Sequence, residues 1–437
     1  MLLTLLLPNA LAAPVDLSGD ALLTGAGFDA VSLRGYVEVR GSYTDADSTH
    51  WALTERIRPQ LRVDLHERIT LKTTFEARLD QGRYATGELL ELMRPTIEGS
   101  LGGLSGGGPS LEEVVEECAW DVDVNRTYDE IGDVASIERL FLDVKLPAAD
   151  IRVGRQPVNW GSALFFNPTD IFSQVLLTEP WQERAGVDAA RVNVPIGDEA
   201  QITGLVAALD DYQTFRGGLR GSVHVGATDI AVIGSSDGES WFAGLDAKGD
   251  FEVGWWVEGG FQGDLTGTDE GAMKVAAGVD YSFNVMEHLY VATQVYHDGS
   301  GQIPALYDWS SRQDPTLASL STCAAYPEIE DYLPEVPDEY RLTLGQWYGL
   351  LVAQLGATED LTITATTALN LADQTGLLFP TAAYNIGSRV TLNGGVQYLF
   401  GGEGEFQPPD YQLMAGEVDI SSLYPTWTAM AWARVSL

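Results

Sequence analysis

Hydrophobic and polar residues alternate along this chain in stretches of about ten, and the stretches recur from one end to the other. In Phe251, Val253, Trp255, Val257, Gly259 and Phe261 every second position is apolar or small, with an aromatic at each end. Glu252, Gly254, Trp256 and Glu258 fill the other face, which is mixed and partly charged. The layout returns in Leu33–Tyr43, Ile69–Leu79, Met273–Phe283, Val390–Phe400 and Trp427–Leu437. A period of two marks a β-strand whose two faces meet different surroundings. Ten residues at about 3.3 Å each, tilted by about 40–45°, rise roughly 24 Å, the height of the apolar band of an outer-membrane barrel. A soluble sandwich shares the period but has no reason to keep that length or to set aromatics at both ends. The pattern predicts an all-β fold, a closed antiparallel up-and-down transmembrane β-barrel of about 16–18 strands.

The connections alternate between short and long. Short polar turns are expected at 65–68, 146–150, 195–200, 225–229, 247–250, 284–288, 356–360 and 384–388. Longer connections fall at 44–50, 81–135, 157–184, 210–215, 235–240, 262–272, 298–340, 371–376 and 401–425. Outer-membrane barrels keep short turns in the periplasm and long loops outside, which puts both termini in the periplasm. Strands at Val187–Val194, Ala200–Ala208 and Leu377–Tyr384 show less clean alternation, and Pro380 interrupts the last. Residues 1–13, MLLTLLLPNALAA, read as the apolar core and cleavage end of a secretory signal without its basic opening. Residues 14–30 are then a periplasmic lead-in and 31–437 the barrel.

Composition sharpens the picture. The mean hydropathy of −0.03 is too low for a helical membrane protein and suits a barrel, in which one strand residue in two meets lipid. The net charge of −38 leaves no basic stripe for phosphates and excludes nucleic acid as a partner. The acidic surplus points to external loops, with divalent cations bridging them to outer-membrane lipid, or to a high-salt habitat. The two cysteines, Cys118 and Cys323, both fall on long external loops, and a disulfide between them is expected in an oxidising compartment.

More than half of the 25 basic residues precede position 156. Arg34, Arg40, Arg56, Arg58, Arg62, Lys72, Arg78, Arg139, Lys145 and Arg152 take the parity opposite to the lipid-facing set. They form one basic sector of the inner wall. Glu38, Asp64, Glu76, Asp80 and Asp143 lie among them, so the sector either lines a conduction path or closes on itself in cross-strand ion pairs.

One stretch is motif-like: Arg152-Val153-Gly154-Arg155-Gln156-Pro157-Val158-Asn159-Trp160-Gly161, followed by Phe165-Phe166-Asn167-Pro168-Thr169-Asp170-Ile171-Phe172. Its G-R-Q-x-x-x-W-G element resembles one found in Gram-negative outer-membrane barrels and is similar to barrels of the alginate-export type. The resemblance covers about twenty residues and implies a porin-like or exporter barrel without specifying a solute. General porins, which the chain also resembles in architecture, fold their third external loop into the lumen. Here that loop is 157–184, and it is too apolar to stand in water. Turned inward, it would form a constriction with Trp160, Phe165 and Phe166 and aim Asp170, Glu179 or Glu183 at the basic wall. Asp170 after Asn-Pro-Thr also reads as the opening of a helical turn.

The sequence therefore predicts an outer-membrane channel for small polar solutes or ions, without cofactor or metal, and the likeness to porins implies a homotrimer. Two alternatives stay open. One is a transporter of hydrophobic compounds, suggested by the apolar third loop. The other is a hydrolase at the rim built on His297 and Asp298. Asp45, Asp47 and the run from Asp264 to Glu270 lack the spacing of a calcium loop.

Overall fold

The computed structural model describes residues 30–45, 49–83, 129–172, 186–209, 214–265, 271–307, 343–406 and 426–437, with isolated positions in the loops between. Eighteen strands form one sheet. They are β1 (Val31–Asp45), β2 (Thr49–His66), β3 (Ile69–Arg83), β4 (Asp129–Lys145), β5 (Asp150–Gln156) and β6 (Val187–Ile196). There follow β7 (Ala200–Ala208), β8 (Phe215–Val225), β9 (Thr228–Ser236), β10 (Ser240–Asp250), β11 (Gly254–Asp264) and β12 (Ala272–Phe283). The set ends with β13 (His288–Asp298), β14 (Trp347–Gly356), β15 (Leu361–Asn370), β16 (Gly376–Ile386), β17 (Val390–Phe400) and β18 (Trp427–Ser436). Each strand runs antiparallel to the next. The ring closes where Tyr36–Asp45 of β1 pairs with Trp427–Ser436 of β18. Closure leaves no strand edge, the condition for burying a sheet in lipid, where an unpaired backbone group has no water to bond.

The alternation read from the sequence sorts residues between the two surfaces. Val192, Val194 and Ile196 of β6, Val257 and Phe261 of β11, and Met273, Val279, Tyr281 and Phe283 of β12 stay exposed on the outside. Their neighbours Trp256, Glu258 and Ala276 are buried inside. An apolar outer belt on a closed barrel is the surface a bilayer requires.

Two local expectations change. The link between β10 and β11 is Phe251–Val253, not 247–250, because β10 runs on to Asp250. Glu252 turns the chain there with φ of 75°, and Phe251 stacks on Trp255 at 6.2 Å. Pro380 does not end β16. It has no N–H to give, so the ladder to β17 breaks off after Leu378 and resumes at Thr381 in the same register. The two-residue link between β8 and β9 relies on Gly226, whose φ of 65° suits glycine.

Candidate functional site

The interior is divided. Strands β6 to β16 carry an apolar lining on which the segment after β5 is packed, with the Arg220–Asp246 and Lys274–Asp298 ion pairs set within it, whereas on β18 and β1 to β6 ion pairs predominate.

The segment is launched by the motif-like stretch. Gly154 has φ of 118°, and a Cβ there would stand 2.2 Å from the Leu140 carbonyl oxygen, so only glycine fits. Arg155 shares the outer face with exposed Val153 and binds Asp188 at 2.6 Å and the Tyr212 hydroxyl at 3.2 Å. Gln156 is fully buried on the inside and donates to the Ala189 carbonyl at 2.8 Å. Val158 and Trp160 then pack with Ala189, Leu205, Ala207, Ile233 and Phe242 of the wall. The Trp160 ring stands edge-on to Phe172 at 4.8 Å and fills the space a Cβ at Gly218 would need.

Farther along, wall side chains hold the segment by its backbone. Glu258 Oε1 accepts from Ser162 N at 2.7 Å and from Ala163 N, while Glu258 Oε2 accepts from the Thr169 hydroxyl at 2.7 Å. Gln294 Oε1 accepts from Leu164 N at 2.9 Å and from the Trp256 indole at 3.0 Å, and its amide donates to the Phe166 carbonyl at 3.0 Å. Phe166 stacks on Tyr296 at 5.0 Å and leans on Tyr348 at 5.2 Å. Fully buried Ala276, Ala292 and Ala368 belong to the same apolar cluster, their small side chains leaving room beside the ring. Phe165 packs against this cluster and is only partly buried.

Asp170 does not open a helix. Asn167 shapes the turn instead, its Oδ1 accepting from Thr169 N at 3.2 Å and Asp170 N at 3.0 Å. The Asp170 carboxylate is buried in an ion pair with Arg184 of its own loop. Glu179, Glu183, Cys118 and Cys323 lie outside the described residues, as do the leader and lead-in before residue 30.

The basic residues separate into three groups. Arg56 and Arg58 are buried in a network that runs across the wall. Arg434 binds Glu38 at 2.7 Å, Arg56 lies 3.8 Å from Glu38 and 3.2 Å from Glu76, and Arg58 lies 3.8 Å from Glu76. A second set keeps part of each side chain exposed. Lys72 and Arg152 share Asp143 at 3.5 and 2.5 Å, with Phe141 between them, and Arg78 binds Asp80 at 2.5 Å. Arg139 reaches the loop, donating to the Arg184 carbonyl at 3.2 Å. The third group lies outside these two networks. Arg62 is exposed with Asp64 at 3.0 Å, Lys145 and Arg34 are exposed, and Arg40 shares the inner face with Glu38.

Three residues of the site escaped the sequence reading. Arg191 of β6 stands beside Arg152 in the register, and among the described residues no carboxylate lies within ion-pair reach of it. The outward series Val192, Val194, Ile196 gives its parity, but Ala189 and Ala190 blur the start of the strand. Glu258 and Gln294 read only as polar members of inward faces, and nothing local ties them to a loop about a hundred residues away in sequence.

His297 and Asp298 do not form a catalytic pair. Consecutive strand residues face opposite ways. The His297 ring lies against exposed Trp347 at 4.3 Å, whereas buried Asp298 binds Lys274 at 3.2 Å and Ser300. Among the described residues no group of three or more His, Cys, Asp or Glu side chains is placed to hold a metal ion.

No family model matches the chain, and no curated protein matches it. Solved structures of similar outline do match. Pseudomonas aeruginosa OccK7 (OpdD) is 8% identical with a TM-score of 0.49, covering 93% of this chain and 98% of that one. Acinetobacter baumannii OccAB1 is 8% identical with a TM-score of 0.49, covering 93% and 96%. Pseudomonas putida OprB is 10% identical with a TM-score of 0.38, covering 96% and 98%. At such identities the likeness says nothing of a solute, and the functional reading rests on this barrel's own interior.

Proposed function

We propose that the protein is a porin-like channel of a Gram-negative outer membrane, passing small polar solutes or ions through a lumen narrowed by loop 157–184. One observation carries the reading: residues 157–172 of the loop are packed against the β6–β16 side of the interior, and the facing side is rich in ion pairs. In a ring of eighteen strands, Glu258 on β11 stands nine strands from Arg56 and Arg58 on β2, diametrically across. A path running along the charged side would meet Lys72, Arg78, Arg152 and Arg191 rather than apolar groups. Charged groups on rigid walls order water and favour polar over apolar solutes of equal size.

The apolar loop no longer argues for a carrier of hydrophobic compounds, since Val158, Trp160 and Phe166 turn to the wall and are buried there. No catalytic role is proposed. The likeness of the Gly154–Gly161 stretch to alginate-export-type barrels is the finer assignment within this reading, and a homotrimer is the assembly expected of it. Planar-bilayer recording of purified, detergent-folded protein tests the proposal. Ohmic unitary steps are expected, and a folded barrel that inserts but stays electrically silent would refute an open channel.

A further inference from the structure

Glu258 is an unusual side chain to find on the wall of a barrel. It is fully buried, and every donor that reaches it among the described residues comes from the inturned loop: Ser162 N, Ala163 N, Thr169 N and the Thr169 hydroxyl. No lysine or arginine of the wall pairs with it among the described residues, and the guanidinium that acts on it electrostatically, Arg184, belongs to the same loop. On the wall itself its situation is unfavourable, because the register sets Asp246 of β10 directly beside it, and like charges facing across strands repel. Asp246 is also buried, with Arg220 at 3.6 Å. A carboxylate serving the wall alone would be paired with a wall cation. This one has the loop.

The donors come from two separate stretches. Residues 162–163 bind one oxygen and Thr169 binds the other, so one side chain closes the intervening segment, Leu164 to Pro168, into a pinned loop. That segment is the part that seats Phe166 between Tyr296 and Tyr348. Gln294 holds the same segment through a neutral amide. Glu258 takes four donors of the loop on its two oxygens against the two bonds Gln294 makes to the loop, and a buried carboxyl left without donors is heavily penalised, so Glu258 is the main point of attachment.

We infer that Glu258 is the positioning residue that clamps the described part of the loop, residues 157–172, to the far wall and thereby sets the width of the passage. The inference rests on the channel reading above. Bilayer recordings of wild type, Glu258→Ala, Glu258→Gln and Thr169→Val, each with the size cut-off measured by polyethylene glycols of graded mass, test it. Glu258→Ala is expected to raise unitary conductance about two-fold or more, to admit larger polymers and to add flicker as the loop swings. Glu258→Gln keeps an acceptor for Ser162 and Ala163 and should fall between. Thr169→Val removes one donor and leaves the wall intact, so it carries the test if Glu258→Ala does not assemble; it should show flicker. The heat-dependent shift of the folded band in electrophoresis should persist throughout.

Conducting wild type with unchanged conductance and cut-off in Glu258→Ala, or with no added flicker in Thr169→Val where that variant carries the test, overturns the clamp and leaves the channel reading standing. A silent wild type that Glu258→Ala opens upholds the clamp and overturns the open-channel reading. Silence in both overturns the two together.

Discussion

Arg191 offers the cleanest test of whether the charged sector faces the conduction path. Replacing it with alanine leaves no carboxylate behind, since none lies within ion-pair reach among the described residues, and its backbone stays in the ladder between β5 and β7. The change therefore removes one positive charge with little structural consequence. An ion passing about 8 Å away in water feels a unit charge by about 0.5 kcal/mol. At 0.15 M salt, where the Debye length is about 8 Å, screening leaves about 0.2 kcal/mol. Cations gain and anions lose by that amount, so the cation-to-anion permeability ratio should rise about two-fold. At 0.01 M the Debye length is about 30 Å, about 0.4 kcal/mol survives, and the ratio should rise about four-fold. Reversal potentials of wild type and Arg191→Ala in matched salt gradients measure it. A reversal potential that does not move at either salt concentration means that ions pass elsewhere, and the charged sector then serves only to brace the barrel.

Two further outcomes are expected. Glu38→Ala strips a buried carboxylate from between Arg56 and Arg434 and should destabilise the barrel by about 2–4 kcal/mol, read as a lower temperature for loss of the fast-migrating folded band. Asp237, in the link between β9 and β10, is pushed up by burial but held well below the usual carboxylate range overall, by the Arg216 guanidinium and by the N–H and hydroxyl of Ser240. A carboxyl depressed on folding stabilises fully above its unfolded value and ceases to do so only as pH falls through the folded one. The clasp should thus hold at about pH 3 and open in stronger acid, as followed by the carboxylate infrared band against an Asp237→Asn control.

The strands were legible wherever one face meets lipid and the other does not. Met273–Phe283 and Val390–Phe400 match β12 and β17 almost to the residue because each outward position is apolar. The reading slipped at 251–253, where Phe251 and Val253 extend the apolar series past the strand's end into a turn. Sequence parity also placed Arg56 and Arg58 inside, but parity cannot tell a guanidinium facing a pore from one sealed beneath its neighbours, and these two are sealed. The loop's partners were hidden for a related reason. A strand face is written locally, whereas the bonds from Glu258 and Gln294 to residues 162–169 depend on bringing distant strands around a ring.

The seam between the first and last strands has its own lock. Glu38 on β1 and Arg434 on β18 are 396 positions apart in the chain and meet across the line where the cylinder shuts. Because strand side chains alternate with a period of two, a slip of one residue at that line would swing Arg434 out of the lumen and into hydrocarbon. The same ion pair that joins the two ends of the barrel thus acts as its proofreader, rejecting every closure whose register is off by one.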